Sequence, residues 1–268
     1  MLYHYTSIDK LKSILKTQQL WLTKISNFKD ISEFKHTLSL IAKELLLPFN
    51  DLENALSQFS NNIFVSCFCE DFDRSYLWEN YGEFNIGFSK TALNGMVGYQ
   101  QRAYGYIKAY SNFLRCEYCL TRQKSFIEKA YSNCNNDIGY TIPVDALTHL
   151  ATIYKKSEFC PEQETRLVLY LKDGSPIKTV GSVNYFVLPF RTDNDIHPIK
   201  SITVGPTYNF DNTERELRNV LDALEMNNIA INRSNISQQE FSNFKSLNTT
   251  KKCSECEQFF SNTKDMEE

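Results

Sequence analysis

Leu2-Tyr3-His4-Tyr5-Thr6-Ser7 passes from β-favouring residues to a hydroxyl suited to capping a helix. Ile8, Leu11, Ile14 and Leu15 then recur at helical spacing, so the chain opens as strand, tight cap and helix. Working outward, Gln19 to Thr23 reads as a second strand with Leu20 and Leu22 on one face. The loop Ile25-Ser26-Asn27-Phe28-Lys29-Asp30 and a helix from about Ser32 to Leu47 come next. A further helix is expected over Asp51 to Phe59 and a buried strand over Ile63 to Cys69. Ser75 to Tyr81 reads as a short helix. Phe84 to Phe88, Tyr104 to Ala109 and Phe113 to Cys119 read as strands, which makes the middle of the chain sheet-rich. Lys124 to Tyr131 and Val144 to Lys155 are helical patterns, the latter running up to Phe159-Cys160-Pro161, where proline disfavours continuation. Glu164 to Leu171, Asn184 to Leu188 and Ile199 to Val204 read as strands, and Asn212 to Met226 as an amphipathic helix leading to Ile229-Ala230-Ile231.

The 268 residues, 42% apolar and 13% aromatic, have the composition of a packed globule. A net charge of −3 provides no overall field to draw the chain onto a phosphate backbone, although a local patch could bind one. There is neither a basic stretch followed by an apolar run of signal-peptide length nor a run near the span of a membrane helix. The expectation is therefore a cytoplasmic protein with no membrane partner. Its 8 Cys, spread along a long chain without an export signal, are expected to be reduced thiols. A domain is expected over 1–236. From Ser237 the composition turns Ser-, Gln-, Asn-, Lys- and Glu-rich, so 237–268 reads as a flexible polar tail that a partner protein could use.

No GxxxxGK[ST], GxGxxG, GxSxG or HExxH motif is present, so the common phosphate-loop, Rossmann, hydrolase-elbow and zincin readings have no anchor. Cys116/Cys119 and Cys253/Cys256 form two CxxC pairs, but one falls on an expected strand and the other in the polar tail. No metal site is assigned, and metal binding by the tail pair stays open. Glu162-Gln163-Glu164-Thr165-Arg166 is more informative. Residues two apart in a strand share a face, so two carboxylates and a guanidinium converge on one side. Such a set can hold one carboxylate ionised while another accepts hydrogen bonds from a ribose hydroxyl, and it equally suits a solvated edge of alternating charge. His4 alone is uninformative, since a histidine in an apolar strand is often a hydrogen-bonded core residue. Trp78 and Tyr81, at i and i+3 beside Gly82, suit either core packing or a stacking platform.

In chain order, LYHYTS, SNFKDISE, FVSCFCED, LWENYGEFNIGF, EQETRLVLY and ITVGP resemble the uncharacterised bacterial family "domain of unknown function 2971". The resemblance spans about Leu2 to Ile236. That family in turn resembles a divergent branch of the ADP-ribosyltransferase fold, which implies an α+β architecture with a split, mostly antiparallel sheet and flanking helices. It implies that His4, with Tyr5 and Thr6 on the same wall, holds the NAD ribose nearest nicotinamide. Ser66 takes a central supporting position and Tyr81 stacks on nicotinamide; Arg166, on the face of the two carboxylates, is read as a cofactor-binding residue. Glu164 is the implied catalytic carboxylate and Glu162 the first acid of an acid-x-acid pair. Tyr5 stands where Gly is usual, and Lys29-Asp30 departs from the usual Asn-Asp pair.

The implied activity is that of a glycosyltransferase using NAD as substrate and passing ADP-ribose to a protein, nucleic acid or nucleotide, as a toxin or phage-defence effector. The sequence does not name the acceptor. Two other readings stand beside it: a nucleotide-sensing module that binds NAD without turnover, and an NAD glycohydrolase.

Overall fold

The computed structural model describes residues 1–28, 31–135 and 144–247. In chain order it contains β1 (Leu2–Thr6), α1 (Ile8–Thr17), β2 (Gln19–Lys24), α2 (Ile31–Glu44), α3 (Phe49–Ser60) and β3 (Ile63–Cys69). The chain continues through α4 (Ser75–Tyr81), β4 (Phe84–Phe88), α5 (Lys90–Tyr104), β5 (Ile107–Arg115), α6 (Leu120–Asn135) and α7 (Val144–Ile153). It ends with β6 (Glu164–Leu171), β7 (Lys178–Val180), β8 (Val183–Pro189), β9 (Ile199–Val204), α8 (Phe210–Ala223), β10 (Ala230–Arg233) and α9 (Gln238–Leu247). Helices and a mostly antiparallel set of strands make this an α+β chain. Among the described residues, no helix is long and apolar enough to cross a membrane.

The chain divides into two compact units, so the stretch 1–236 is shared between them. The first comprises Met1–Leu22, Cys67–Tyr110 and the described part of Val187–Thr249; the second comprises Thr23–Ser66 and Ser111–Phe186.

In the first unit, β1 pairs antiparallel with β4, β4 antiparallel with β9, and β9 parallel with β10. The register His4↔Ile86↔Ile202↔Ile231 puts His4 on an apolar face with Leu2, Phe84, Ile202 and Val204. The register Tyr5↔Asn85↔Thr203↔Asn232 makes the opposite face polar. Leu11 and Leu15 of α1 are buried, as their spacing predicts. The helix α5 was not legible from periodicity because Asn94, Gly95 and Gly98 interrupt the buried Leu93, Met96 and Val97. Its ends are nevertheless well marked: the Ser89 side chain accepts the Ala92 N–H, and Gly105 closes the helix in the left-handed region at φ 65°. The polar reading of 237–268 also omits α9, which Ser237 and Glu240 cap reciprocally and whose Phe241 is buried. Residues 248–268, with Cys253 and Cys256, lie outside the described residues, as do Lys29 and Asp30.

The second unit is built on α2, α3, α6 and α7, which pack Leu38, Ile41, Leu52, Ile127, Leu147 and Tyr154 into one core cluster. The strand β6 pairs with β3 and with β5. The stretch expected to form two strands, 104–109 and 113–119, is instead the single strand β5, after which Cys116 and Cys119 lie on the connection to α6. Cys67, Cys69, Cys116 and Cys119 are free thiols, whereas Cys160 enters a disulfide. Cys160 thus departs from the expectation of reduced thiols, because spacing along the chain does not show which sulfurs the fold brings together.

Candidate functional site

The acidic pair and arginine of the second unit form a buried ionic cluster with Lys155, which had no signal in the spacing. The helix α7 stops at Ile153 rather than continuing to Lys155, because Tyr154 enters a parallel bridge with Glu117 and the Lys155 N–H donates to the Glu117 carbonyl at 3.1 Å. That departure directs the Lys155 ammonium at both glutamates: Nζ donates to Glu162 Oε2 at 2.5 Å and to Glu164 Oε2 at 2.7 Å. Arg166 Nε donates to Glu164 Oε1 at 2.6 Å and Nη2 to Glu164 Oε2 at 3.3 Å, while Nη1 donates to the Thr152 carbonyl at 2.7 Å. The guanidinium also lies 5.4 Å from the centre of the Phe28 ring.

The backbone device that joins the two acids is a turn. Glu162 ends a 3₁₀ helix over Ser157–Glu162, Gln163 takes the left-handed conformation at φ 45°, and Glu164 opens β6. Strand alternation alone explains Glu164 and Arg166, but Glu162 arrives through the turn. Tyr118 fixes the start of the strand, its hydroxyl accepting the Glu164 N–H at 2.8 Å. Lys155 and Arg166 are each 2% exposed, Glu162 3% and Glu164 7%, so the cluster is not the solvated edge that alternating charge also allowed. Among the described residues, two cations face two anions, the pairing that burial of charge demands.

Ser66 belongs to the same unit and is buried in β3. The other residues assigned by the resemblance, His4, Tyr5, Thr6 and Tyr81, lie in the first unit. His4 Nδ1 lies 2.9 Å from the Cys67 carbonyl, which can only accept, so Nδ1 carries the proton and Nε2 presents a lone pair. Its ring meets Phe68 edge-on at 6.0 Å. Burial holds the imidazole below its ordinary value of 6.5, against the opposing pull of the Cys67 carbonyl and with help from the Lys10 charge.

Tyr5 is a fastener as well as a neighbour of His4. Its hydroxyl accepts the Arg74 N–H at 3.1 Å and donates to the Asp71 carbonyl at 3.4 Å, and its ring stands edge-on to Trp78 at 4.6 Å. Trp78 is buried, the core role its spacing allowed, and its Nε1 donates to Asp73 Oδ1 at 2.8 Å. Asp73, which no motif singled out, also accepts Ser234 Oγ at 2.6 Å and the Asn235 N–H at 2.5 Å. Thr6 is buried with no partner for its hydroxyl. Gly82, at φ 137°, passes so close to Thr6 that a Cβ would sit 2.3 Å from the Thr6 carbonyl oxygen. Tyr81, immediately before it, is 48% exposed. Among the described residues, no group of three or more His, Cys, Asp or Glu side chains is placed to hold a metal ion.

Two predictions arise from these contacts. Tyr5→Phe removes the acceptor of the Arg74 N–H and is expected to cost about 1–2 kcal/mol, read by urea unfolding at neutral pH. An unchanged midpoint would show that the Tyr5 hydroxyl is not a fastener. The second concerns pH. His4, His36, His149 and His197 are all held below 6.5, chiefly by burial. A depressed folded pKa means that the unfolded chain takes up protons first, so this contribution is complete above 6.5 and is lost as pH falls toward the folded values. The melting temperature is expected to drop between about pH 7 and pH 5, and less steeply in His4→Gln.

No known protein family, curated protein or solved structure matches the chain.

Proposed function

We propose that this protein is an NAD-dependent ADP-ribosyltransferase. The observation that carries the reading is the convergence of Glu162 and Glu164, across one left-handed residue, on Lys155 and Arg166. Breaking the bond from ribose C1′ to nicotinamide leaves an oxocarbenium-like sugar, and the bonding electron pair departs with nicotinamide. An ionised carboxylate stabilises that developing positive charge. The Lys155 ammonium and the Arg166 guanidinium both donate to the Glu164 carboxylate. The acceptor's nucleophile then bonds to C1′ and gives up its proton, so the protein must position the acceptor and exclude water. From the resemblance, His4 holds the ribose, with Tyr5 and Thr6 beside it, Ser66 supports, Tyr81 stacks on nicotinamide, and Glu162 acts with Glu164.

The burial of both glutamates favours a second reading, an NAD- or nucleotide-binding module without turnover, in which the cluster is purely structural. Incubation of wild type, His4→Ala and Glu164→Gln with labelled NAD and a cell extract separates the two. Label transfer and nicotinamide release by the wild type alone are expected of the enzyme. Tight NAD binding with no release, unaltered in Glu164→Gln, belongs to the module. Failure of the wild type to release nicotinamide or label any product rejects the transferase.

A further inference from the structure

The CxxC pair Cys116/Cys119 lies outside the ionic cluster, yet the segment it bounds holds the cluster's backbone. The Cys116 N–H donates to the Glu164 carbonyl at 2.8 Å, the Tyr118 hydroxyl accepts the Glu164 N–H at 2.8 Å, and the Glu117 carbonyl accepts the Lys155 N–H at 3.1 Å. Cys119 then leads into α6, its own N–H donating to Glu117 Oε1 at 2.8 Å. Both cysteines are buried and carry thiols. Cys116 packs with Tyr118 and Cys160 in one buried cluster, so a thiol residue lies against a cysteine already in a disulfide. Cys160 is tied to the turn that presents the two acids: Gln163 Nε2 donates to the Cys160 carbonyl at 3.0 Å and to its Sγ at 3.4 Å. All of these residues belong to the second unit. Among the described residues the pair joins no metal-ligating group, and a CxxC spacing is equally that of dithiol–disulfide couples.

We propose that Cys116, Cys119 and Cys160 form a thiol–disulfide exchange site that sets how firmly Glu164 is held. The Cys116 sulfur gives up its proton and bonds to the Cys160 sulfur. The earlier Cys160 disulfide breaks, and its electron pair leaves with the other sulfur, which takes up the proton. Cys119 then attacks Cys116 in the same way, closing a Cys116–Cys119 disulfide and returning Cys160 to a thiol. Each step makes one S–S bond and breaks one, so no outside oxidant is consumed. Burial shields these sulfurs from bulk reagents and keeps the exchange between neighbours; thiols that merely pack would stay unreacted. A Cys116–Cys160 bridge runs alongside the backbone bond from Cys116 to Glu164 and fastens it, and with Cys160 released that fastening is lost. The inference requires no turnover and does not depend on the transferase reading.

The test is disulfide mapping of the full chain in buffers stepped from reduced to oxidised dithiothreitol, with thiols trapped by iodoacetamide and linked peptides read by mass spectrometry. Peptides joining Cys116 to Cys160 and to Cys119 are expected in the wild type. Cys119→Ser removes the resolving thiol, so the Cys116–Cys160 peptide is expected to rise several-fold. Cys116→Ser is expected to abolish both linkages while Cys160 keeps its bridge. Amide hydrogen exchange at Glu164 is expected to be several-fold slower in Cys119→Ser trapped with the Cys116–Cys160 bridge than in the same variant reduced. Should either variant fail to fold, the wild-type linkages decide. Four results would each overturn the proposal: Cys116 alkylated in full wherever Cys160 is bridged, Cys160 alkylated in every buffer, Cys116 linked to Cys69 as often as to Cys160, as scrambling in an unfolded chain produces, or equal Glu164 exchange in the two forms. Neither measurement involves NAD, so a chain without nicotinamide release can still pass, and an active transferase can still fail.

Discussion

Replacement of Lys155 by Met is expected to destabilise the protein by about 3–5 kcal/mol, the largest loss foreseen for any single substitution here. The side chain is removed from between two carboxylates that it contacts at 2.5 and 2.7 Å, in a place almost closed to water. Among the described residues, Lys155 and Arg166 face Glu162 and Glu164. Lys155→Met takes away a buried positive charge that both carboxylates contact, and methionine fills the volume of the stem without answering them. The cost is then electrostatic rather than a packing defect, and it should be recoverable. Adding Glu162→Gln to Lys155→Met removes one of the two carboxylates that lost their ammonium and keeps the Glu164–Arg166 pair, bonded through Nε at 2.6 Å and Nη2 at 3.3 Å. The double variant is therefore expected to be more stable than Lys155→Met alone. Denaturant unfolding of the two single variants and the double closes the cycle, and a double variant whose loss equals or exceeds the sum of the singles would mean that charge balance does not hold the cluster together.

Much of this arrangement was legible in the sequence, and the part that was not has a definite cause. The opening strand and capped helix, and the strand from Glu164 to Leu171, carry periodicities that burial satisfies, so β1, α1 and β6 lie where spacing places them. The common side of Glu164 and Arg166 follows from the two-residue repeat of a strand. Glu162 joins them only because Gln163 turns left-handed, and a glutamine at that conformation announces itself in no pattern. Lys155 was invisible for another reason. It closes an apolar helical pattern where a lysine usually snorkels to water, and only its bond to the Glu117 carbonyl turns it inward. Asp73 was missed likewise, since its partners Ser234 and Asn235 are some 160 residues away in sequence. Local signals specify elements; the contacts that assemble a site are long-range.

The transferase reading makes its sharpest demand on Glu164→Gln, where nicotinamide release from NAD is expected to fall by roughly 10²–10³-fold. Glutamine keeps the shape and can still accept hydrogen bonds, but it brings no negative charge against the forming oxocarbenium ion, so the loss should appear in kcat more than in KM. The same substitution takes a negative charge from beside the Lys155 ammonium and the Arg166 guanidinium, and some structural loss is to be expected with it. Glu162→Gln supplies the comparison, because it removes an equal charge from the same Lys155 ammonium. If Glu164 acts on the ribose while Glu162 serves the acceptor, the two variants should be similarly destabilised, yet Glu162→Gln should lower nicotinamide release far less. If release falls in proportion to lost stability in both, Glu164 is a structural carboxylate and its catalytic assignment fails. The discriminating measurement is single-turnover nicotinamide release at saturating NAD, below the unfolding transition of the weaker variant, where any remaining difference between the two glutamates belongs to chemistry rather than to folding.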